Sequence, residues 1–230
     1  MTAESAKFKD TAPIVSIQEA REILGINNVF GPEEWKKFFG DKFQLTDIPK
    51  IHWTKTALSN LPIKQDHFLF LGLDSIGGEP LNVATWYKNY SGDKDPKFDG
   101  NFGLANIRAE ATCKLRWYLM PVGIVKGSEN LKPHPQLLLL GQKYEVPTAI
   151  ERVAANILYY LNNNKYLDSG IYAARTRDAS GWEFGSAFVT PVSVRGTHKG
   201  LFIGDGRNAL GEPGVAASRT YKWSFVTELN

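Results

Sequence analysis

The sequence contains a single cysteine, Cys113, among its 230 residues. One thiol excludes an intrachain disulfide and any metal site built from several thiolates, because each needs at least two sulfurs from the same chain. Stability must therefore come from packing, for which the chain supplies 13 Phe, 9 Tyr and 6 Trp. Each large ring buries roughly 150 to 250 Å² of surface, so these residues are enough to form a substantial core.

An excess of charge of one sign is also missing. The 27 Lys and Arg residues stand against 24 Asp and Glu, and the net charge of +3 is spread evenly along the chain. Binding to nucleic-acid phosphates needs several cations aimed at them together, so the sequence disfavours a nucleic-acid partner. The hydrophobic fraction of 43% and the charged fraction of 22% indicate a globular protein of ordinary composition.

Long hydrophobic runs are absent as well. The longest aliphatic block is Leu137–Leu140, far shorter than the roughly 20 apolar residues of a spanning helix, so we expect no membrane insertion. Residues Met1–Thr11 lack the apolar stretch of a secretory signal. We therefore expect a cytoplasmic location, or a place in a virion or another assembly.

The N-terminal part of the chain has a polar, unpatterned tail, residues 1–15, followed by helix signals. Ser16 and Glu19 have the spacing of a capping box, and glycine or proline marks the ends of the segments that follow. These signals predict a small helical layer over residues 16–62. Its three short helices are expected over Ile17–Leu24, from Pro32 up to Gly40, and from Thr54 to Leu61.

The remainder, residues 63–230, carries mostly strand signals. The near-continuous apolar run Asp66–Leu73 is typical of a strand covered on both faces. Cys113–Met120 alternates apolar and polar residues as a half-buried strand does, and Asn89–Gly103 between them is expected to be an exposed loop. Short segments separated by glycine then predict four antiparallel strands: Ile171–Arg177, Trp182–Val194, Leu201–Ile203 and Ala217–Phe225.

The clearest helix signal follows Pro147, where apolar residues recur at helical spacing from Ile150 to Leu161. We interpret this stripe as a lid packed on the aromatic face of the last predicted strand. The sequence thus predicts an α+β fold with one domain over residues 16–230. In it, a mainly antiparallel sheet is packed by one long amphipathic helix, beside the helical N-terminal layer.

Two short stretches resemble a cofactor motif and a metal motif, but the residues around them do not fit such sites. The run Gly204–Gly206 imitates a phosphate-binding loop, but more glycine and proline follow where the loop needs a helix. The acidic stretch around Asp95 imitates a calcium loop, but Lys97 occupies a ligand position. No cofactor and no metal is therefore supported. The four histidines are scattered rather than clustered as zinc ligands are: His52, His67, His134 and His198.

The sequence context of Cys113 and of two of the histidines predicts where these side chains lie. Cys113, within a strand pattern, lacks the basic setting that activates a thiol and is read as a small core residue. His67, beside an apolar strand, is expected to be packed or to lie at a strand edge. His134 stands between two prolines, where extended backbone would display it outward.

An enzyme remains an open alternative, and a hydrolase is its most plausible form. It would place distant polar residues, together with Arg175, within hydrogen-bond reach in one loop-borne pocket. The candidate catalytic residues are His198, Asp205 and Asp178.

Candidate binding residues lie on two predicted strands. Arg175 and Arg177 share one strand face, two residues apart, and could grip an anion. Tyr221 and Trp223, with Arg219, could form the face of a carbohydrate- or nucleic-acid-binding module if their rings are exposed.

Several short stretches carry a resemblance over most of the chain: Ala20–Gly25, Phe30–Gly40, Trp117–Met120, Gly127–Asn130, Glu145–Thr148 and Ile171–Asp178. With these stretches, the chain resembles a set of uncharacterised bacterial and phage-associated hypothetical proteins. The resemblance implies no established activity, and it supplies no catalytic residue.

The hypothesis we favour from the sequence is a non-enzymatic structural or interaction protein. A polar N-terminal tail normally frays. If the tail is ordered, something must hold it, and the economical candidate is another protein chain. We therefore expect other protein subunits as partners in an assembly, which the resemblance suggests is phage-associated.

Overall fold

We describe the fold from a computed structural model of the chain. The structure describes residues 14–91, 95–98, 110–141, 144–167, 174–176, 187–192, 199–205, 214–215 and 218–219. These ranges contain both helices and strands, and the sheets are mixed or antiparallel. The predicted α+β class is therefore confirmed. Within the described ranges, no helix has the length and apolar character that crossing a membrane requires.

Local capping signals form the N-terminal helical layer. At the first helix, the Glu19 amide donates to Ser16 Oγ at 3.2 Å, and the Ser16 amide donates to the Glu19 carboxylate at 3.0 Å. Arg21 then joins the first two helices through ion pairs of 2.7 Å with Glu33 and with Glu34. The predicted helices are confirmed as α1 (Ile17–Leu24), α2 (Pro32–Phe39) and α3 (Lys55–Ser59).

The first sheet has three strands: β1 (Val29–Phe30), β2 (His67–Gly72) and β5 (Arg116–Pro121). β1 runs parallel to β2, and β2 runs antiparallel to β5. Every residue of β2 is buried, as the apolar run predicted. The alternation expected for β5 is wrong at Tyr118, which is 1% exposed. Its ring stacks on Phe70 of β2 with centroids 5.1 Å apart, because both faces of this sheet are covered.

A tight hairpin and a helix follow β2. Strands β3 (Ser75–Ile76) and β4 (Glu79–Pro80) are joined by Gly77 and Gly78, with φ of 57° and 82°. Glycine is required here because a two-residue hairpin of this kind needs positive φ at both central positions. Helix α4 (Val83–Tyr90) comes next.

The loop expected over Asn89–Gly103 is described in part: Asp95 is exposed as expected, but Phe98 is buried. Phe98 is 1% exposed and forms a bridge with Leu201. Its amide donates to the Tyr90 carbonyl at 2.8 Å. An aromatic side chain within a polar stretch can be buried when its backbone groups pair with other elements, which composition does not reveal.

The helix after Pro147 is confirmed as α6 (Ala149–Asn163). The aromatic strand face on which we expected it to pack lies outside the described residues. Residues Ala149–Tyr159 are all buried, including the polar residues Glu151, Arg152 and Asn156. α6 packs on β1 and β2 of the first sheet, and also on two strands of a second sheet. It is a central helix over this length instead of an amphipathic helix with one face in solvent.

The second sheet consists of β7 (Ala174–Arg175), β8 (Ala187–Val192), β9 (Lys199–Asp205) and β10 (Gly214–Val215). Their order in the sheet is β10-β7-β8-β9. Three neighbouring strands are antiparallel as predicted, but β10 runs parallel to β7. Of the predicted fourth strand, Ala217–Phe225, the structure describes two residues. They form β11 (Ser218–Arg219), which pairs antiparallel with β6 (Tyr144–Glu145) and not with this sheet.

Candidate functional site

The catalytic residues predicted from sequence are not assembled by the described part of the structure. Asp205 is the last residue of β9, paired with Ala187 of β8, so it lies in a strand and not in the expected loop. His198 and Asp178 lie outside the described residues. The hydrolase hypothesis therefore stays a prediction.

The predicted binding residues are described in part. Arg175 lies in β7, opposite Phe188 of β8. Arg219 lies in β11, opposite Tyr144 of β6. The other predicted binding residues lie outside the described residues: Arg177, Tyr221 and Trp223. The anion-binding pair and the exposed aromatic face stay predictions.

The histidines within the described ranges have separate surroundings. His67 is 6% exposed, with Nδ1 3.0 Å from the Ile63 carbonyl and Nε2 3.3 Å from the Tyr144 hydroxyl, which confirms a packed residue. His134 is exposed as expected, but it lies in the first turn of helix α5 (Pro133–Leu140) and not in extended backbone. Among the residues that the structure describes, no group of three or more His, Cys, Asp or Glu could hold a metal.

A partly buried ion-pair cluster connects β5, β6 and α6. A guanidinium nitrogen of Arg116 lies 3.5 Å from Glu145 and 3.5 Å from Glu151, and the guanidinium carbon lies 4.5 Å from the centre of the Tyr118 ring. Charge-assisted hydrogen bonds are usually about 2.7–2.9 Å long. The two contacts are therefore electrostatic more than directional, and they hold the three elements together.

The thiol and the hydroxyl beside this cluster are neutral near pH 7. Burial, and then the Glu151 carboxylate, raises the pKa of the Cys113 thiol well above its ordinary value. Burial likewise raises the pKa of the Tyr118 hydroxyl. Both groups stay neutral near pH 7, and a buried neutral thiol is a poor nucleophile. Cys113 is 2% exposed, which confirms it as a core residue.

Helix α5 carries three consecutive leucines that are exposed to solvent. Leu137 is 39% exposed, Leu138 70% and Leu139 48%; we call these three the leucine surface. Consecutive helical residues are about 100° apart around the axis, so a run of four leucines cannot face one core. Leu140 is the one that turns inward, where it forms a small cluster with Val146.

The inner side of α5 is fixed to the chain before it. Gln136 is buried, and its side-chain nitrogen donates to the Ser128 carbonyl at 2.9 Å. This bond sets the rotation of the helix, so that the leucine surface faces outward. The sequence pointed to Leu137–Leu140 as its longest aliphatic block, but its helical state and exposure were not foreseen.

Comparisons with protein-family models, with curated proteins and with solved structures found no match to this chain. The resemblance to bacterial and phage-associated hypothetical proteins therefore stays a prediction, and the function is argued from the geometry.

Proposed function

We propose that this protein is a non-enzymatic structural or interaction protein that works as part of an assembly, and that the leucine surface is where another copy of the chain packs. The observation that carries the proposal is the exposure of Leu137, Leu138 and Leu139 on one short helix. Exposed apolar patches mark contact surfaces in soluble proteins. A second copy is the chosen occupant because most soluble oligomers are symmetric homo-oligomers.

The ion-pair cluster supports a passive role for the part of the molecule around it. Its guanidinium already contacts two carboxylates, and the thiol and hydroxyl beside it are held neutral. An active centre would instead present an activated nucleophile or a base next to space for a substrate.

The test is the mass of the purified particle in solution, measured by light scattering over a range of protein concentrations. We expect a multiple of the 25.7 kDa chain mass, and a return towards 25.7 kDa for Leu138→Asp. Ile26→Asp is the matched control, because Ile26 has the same 70% exposure but lies outside α5; its particle mass should equal that of the wild type.

Two results would contradict the proposal. One is a single-chain mass at every concentration. The other is an assembly that Leu138→Asp leaves intact, because this would place the contact elsewhere on the molecule.

A further inference from the structure

A groove runs along the β3–β4 hairpin, on the side that faces α2 and α4. It consists of two adjoining depressions of about 280 and 200 Å³, which share Lys42, Ile76 and Gly77. The larger depression is lined on one side by the rings of Phe38, Phe39 and Tyr90. Its polar lining residues are Lys42, Glu79, Thr85 and Asn89.

The walls of this groove are held in place by the core. The Phe39 ring lies 4.7 Å from Trp35 and 6.1 Å from Trp86, and Tyr90 stacks on Trp86 at 6.1 Å. The hairpin is fixed by the Gly77 amide, which donates to the Lys42 carbonyl at 3.0 Å. Rings and turn are therefore preformed, which lowers the entropy that a ligand would lose on binding.

The groove carries charges of both signs. Lys42 lines both depressions, Glu79 lines the larger one and Asp74 the smaller one. Lys88 is not part of the lining, but its ammonium lies 3.9 Å from Glu79. A phosphate would meet the Glu79 carboxylate, and a cation would meet the Lys42 ammonium. Neutral ligands avoid both penalties, and their hydroxyls can accept from Lys42 and donate to Glu79.

Helix α4 adds groups that suit hydroxyls. Thr85 and Asn89 are four residues apart on a helix and therefore lie on the same face. Their side chains can each donate and accept hydrogen bonds. Burial raises the pKa of the neighbouring Tyr90 hydroxyl to about 12, so that this group also stays neutral and able to donate.

We propose that this groove binds one pyranose ring of a carbohydrate, with the C–H face of the sugar on the aromatic side and its hydroxyls on Glu79, Thr85 and Asn89. The volume agrees with this size, because pockets for larger, drug-sized ligands measure roughly 300 to 1,000 Å³. The site is separate from the leucine surface, so its test does not depend on the mass of the particle.

The experiment is an NMR titration of the ¹⁵N-labelled full chain with methyl glucoside, methyl galactoside and N-acetylglucosamine. At millimolar concentration, at least one sugar should give saturable shifts of the Gly77, Thr85 and Asn89 amides. Asn89→Ala should weaken that affinity about fivefold to tenfold, the effect of one lost hydrogen bond. Thr85→Val is a second variant that keeps the side-chain shape, and it should weaken binding to a similar extent.

Asn60→Ala is the matched control, because Asn60 is an exposed residue at the end of α3, outside the groove lining. It should bind as the wild type does. The proposal is overturned if none of the three sugars gives saturable shifts at these amides, or if both groove variants keep the wild-type affinity. It is also overturned if inorganic phosphate shifts the same amides at lower concentration than any sugar, since this would make the groove an anion site.

Discussion

Two regions of this molecule differ in whether their apolar side chains are buried or exposed to solvent. The aromatic body, made of the first sheet with α2, α4 and α6, buries its rings around Trp35, which lies 5.5 Å from Phe30 and 4.7 Å from Phe39. The leucine region, made of α5 and β6, buries Leu140 and leaves the three leucines before it exposed. The leucine region does not lack apolar residues, since half of α5 is leucine. What differs is spacing, because only spacing that matches the helical period points side chains at one core.

The largest expected effect comes from the centre of the aromatic body. Trp35 is 1% exposed, and its indole nitrogen donates to the Leu71 carbonyl at 2.9 Å. Trp35→Ala should lower the free energy of unfolding by about 3 to 5 kcal/mol, because it leaves a cavity and an unpaired carbonyl. Urea denaturation measures the change, and Trp35→Phe should lose less. A loss below about 1 kcal/mol for the alanine variant would mean that the body is not the stable part.

A smaller effect is expected where α6 holds the end of β5. Arg152 is fully buried, and its guanidinium donates to the carbonyls of Pro121 at 3.3 Å and Gly123 at 2.8 Å. Arg152→Met keeps the apolar stem but loses these bonds, so unfolding should become easier by about 2 to 4 kcal/mol. The control is Lys55→Met in an exposed ion pair with Glu19, which should cost less than about 0.5 kcal/mol. Equal losses in the two variants would contradict a structural role for Arg152.

The free energy of unfolding should depend on pH through His52, at the boundary of the aromatic body. Burial, and then the nearby Arg116, lowers the pKa of His52 from 6.5 to about 4. Between these values the unfolded chain binds the proton and the folded chain does not. The stability contribution of neutral His52 is therefore complete above about pH 6.5 and is lost as the pH falls towards 4.

The size of this effect is on the order of 1 to 2 kcal/mol, since the half-buried ring is partly screened by solvent. Urea denaturation of the wild type and of His52→Gln from pH 7 to pH 4 isolates it from the carboxylates, which titrate in both proteins. If the two proteins lose stability in parallel, His52 does not titrate as described.

The smallest effect is expected in the leucine region. Leu138→Ala should change the free energy of unfolding by less than about 0.5 kcal/mol, whereas Leu140→Ala in the same helix should cost about 2 kcal/mol. Both are measured at a concentration low enough for single chains, because assembly adds to apparent stability. A cost at Leu138 as large as that at Leu140 would show that the two regions bury their leucines alike.

Local signals made the helices predictable. Ser16 with Glu19, and Thr148 with Glu151, are capping boxes whose bonds form within four residues, so the sequence alone contains both partners. Strand β2 was predictable for a similar reason, since its run of apolar residues is continuous. The helical state of His134 was missed because proline, although it favours extended backbone before it, is also tolerated in the first turn of a helix.

Features that depend on the path of the chain were not predictable. The pairing of β10 with β7 and of β11 with β6 joins segments about 40 and 74 residues apart, and nothing in the short strands specifies it. The burial of Arg152 depends on the carbonyls of Pro121 and Gly123, which sequence periodicity cannot reveal. The same holds for the hairpin groove, whose walls come from α2, the β3–β4 hairpin and α4.

The single buried thiol gives this chain a built-in reporter of its own motions. Cys113 lies under the start of α6, with its sulfur 3.9 Å from the Ile150 carbonyl. Because the sulfur is buried, a thiol reagent reaches it only when the structure around Cys113 opens. The rate of thiol labelling under native conditions therefore reports how often the structure opens at one known position. No engineered probe is needed, and no second cysteine contributes to the signal.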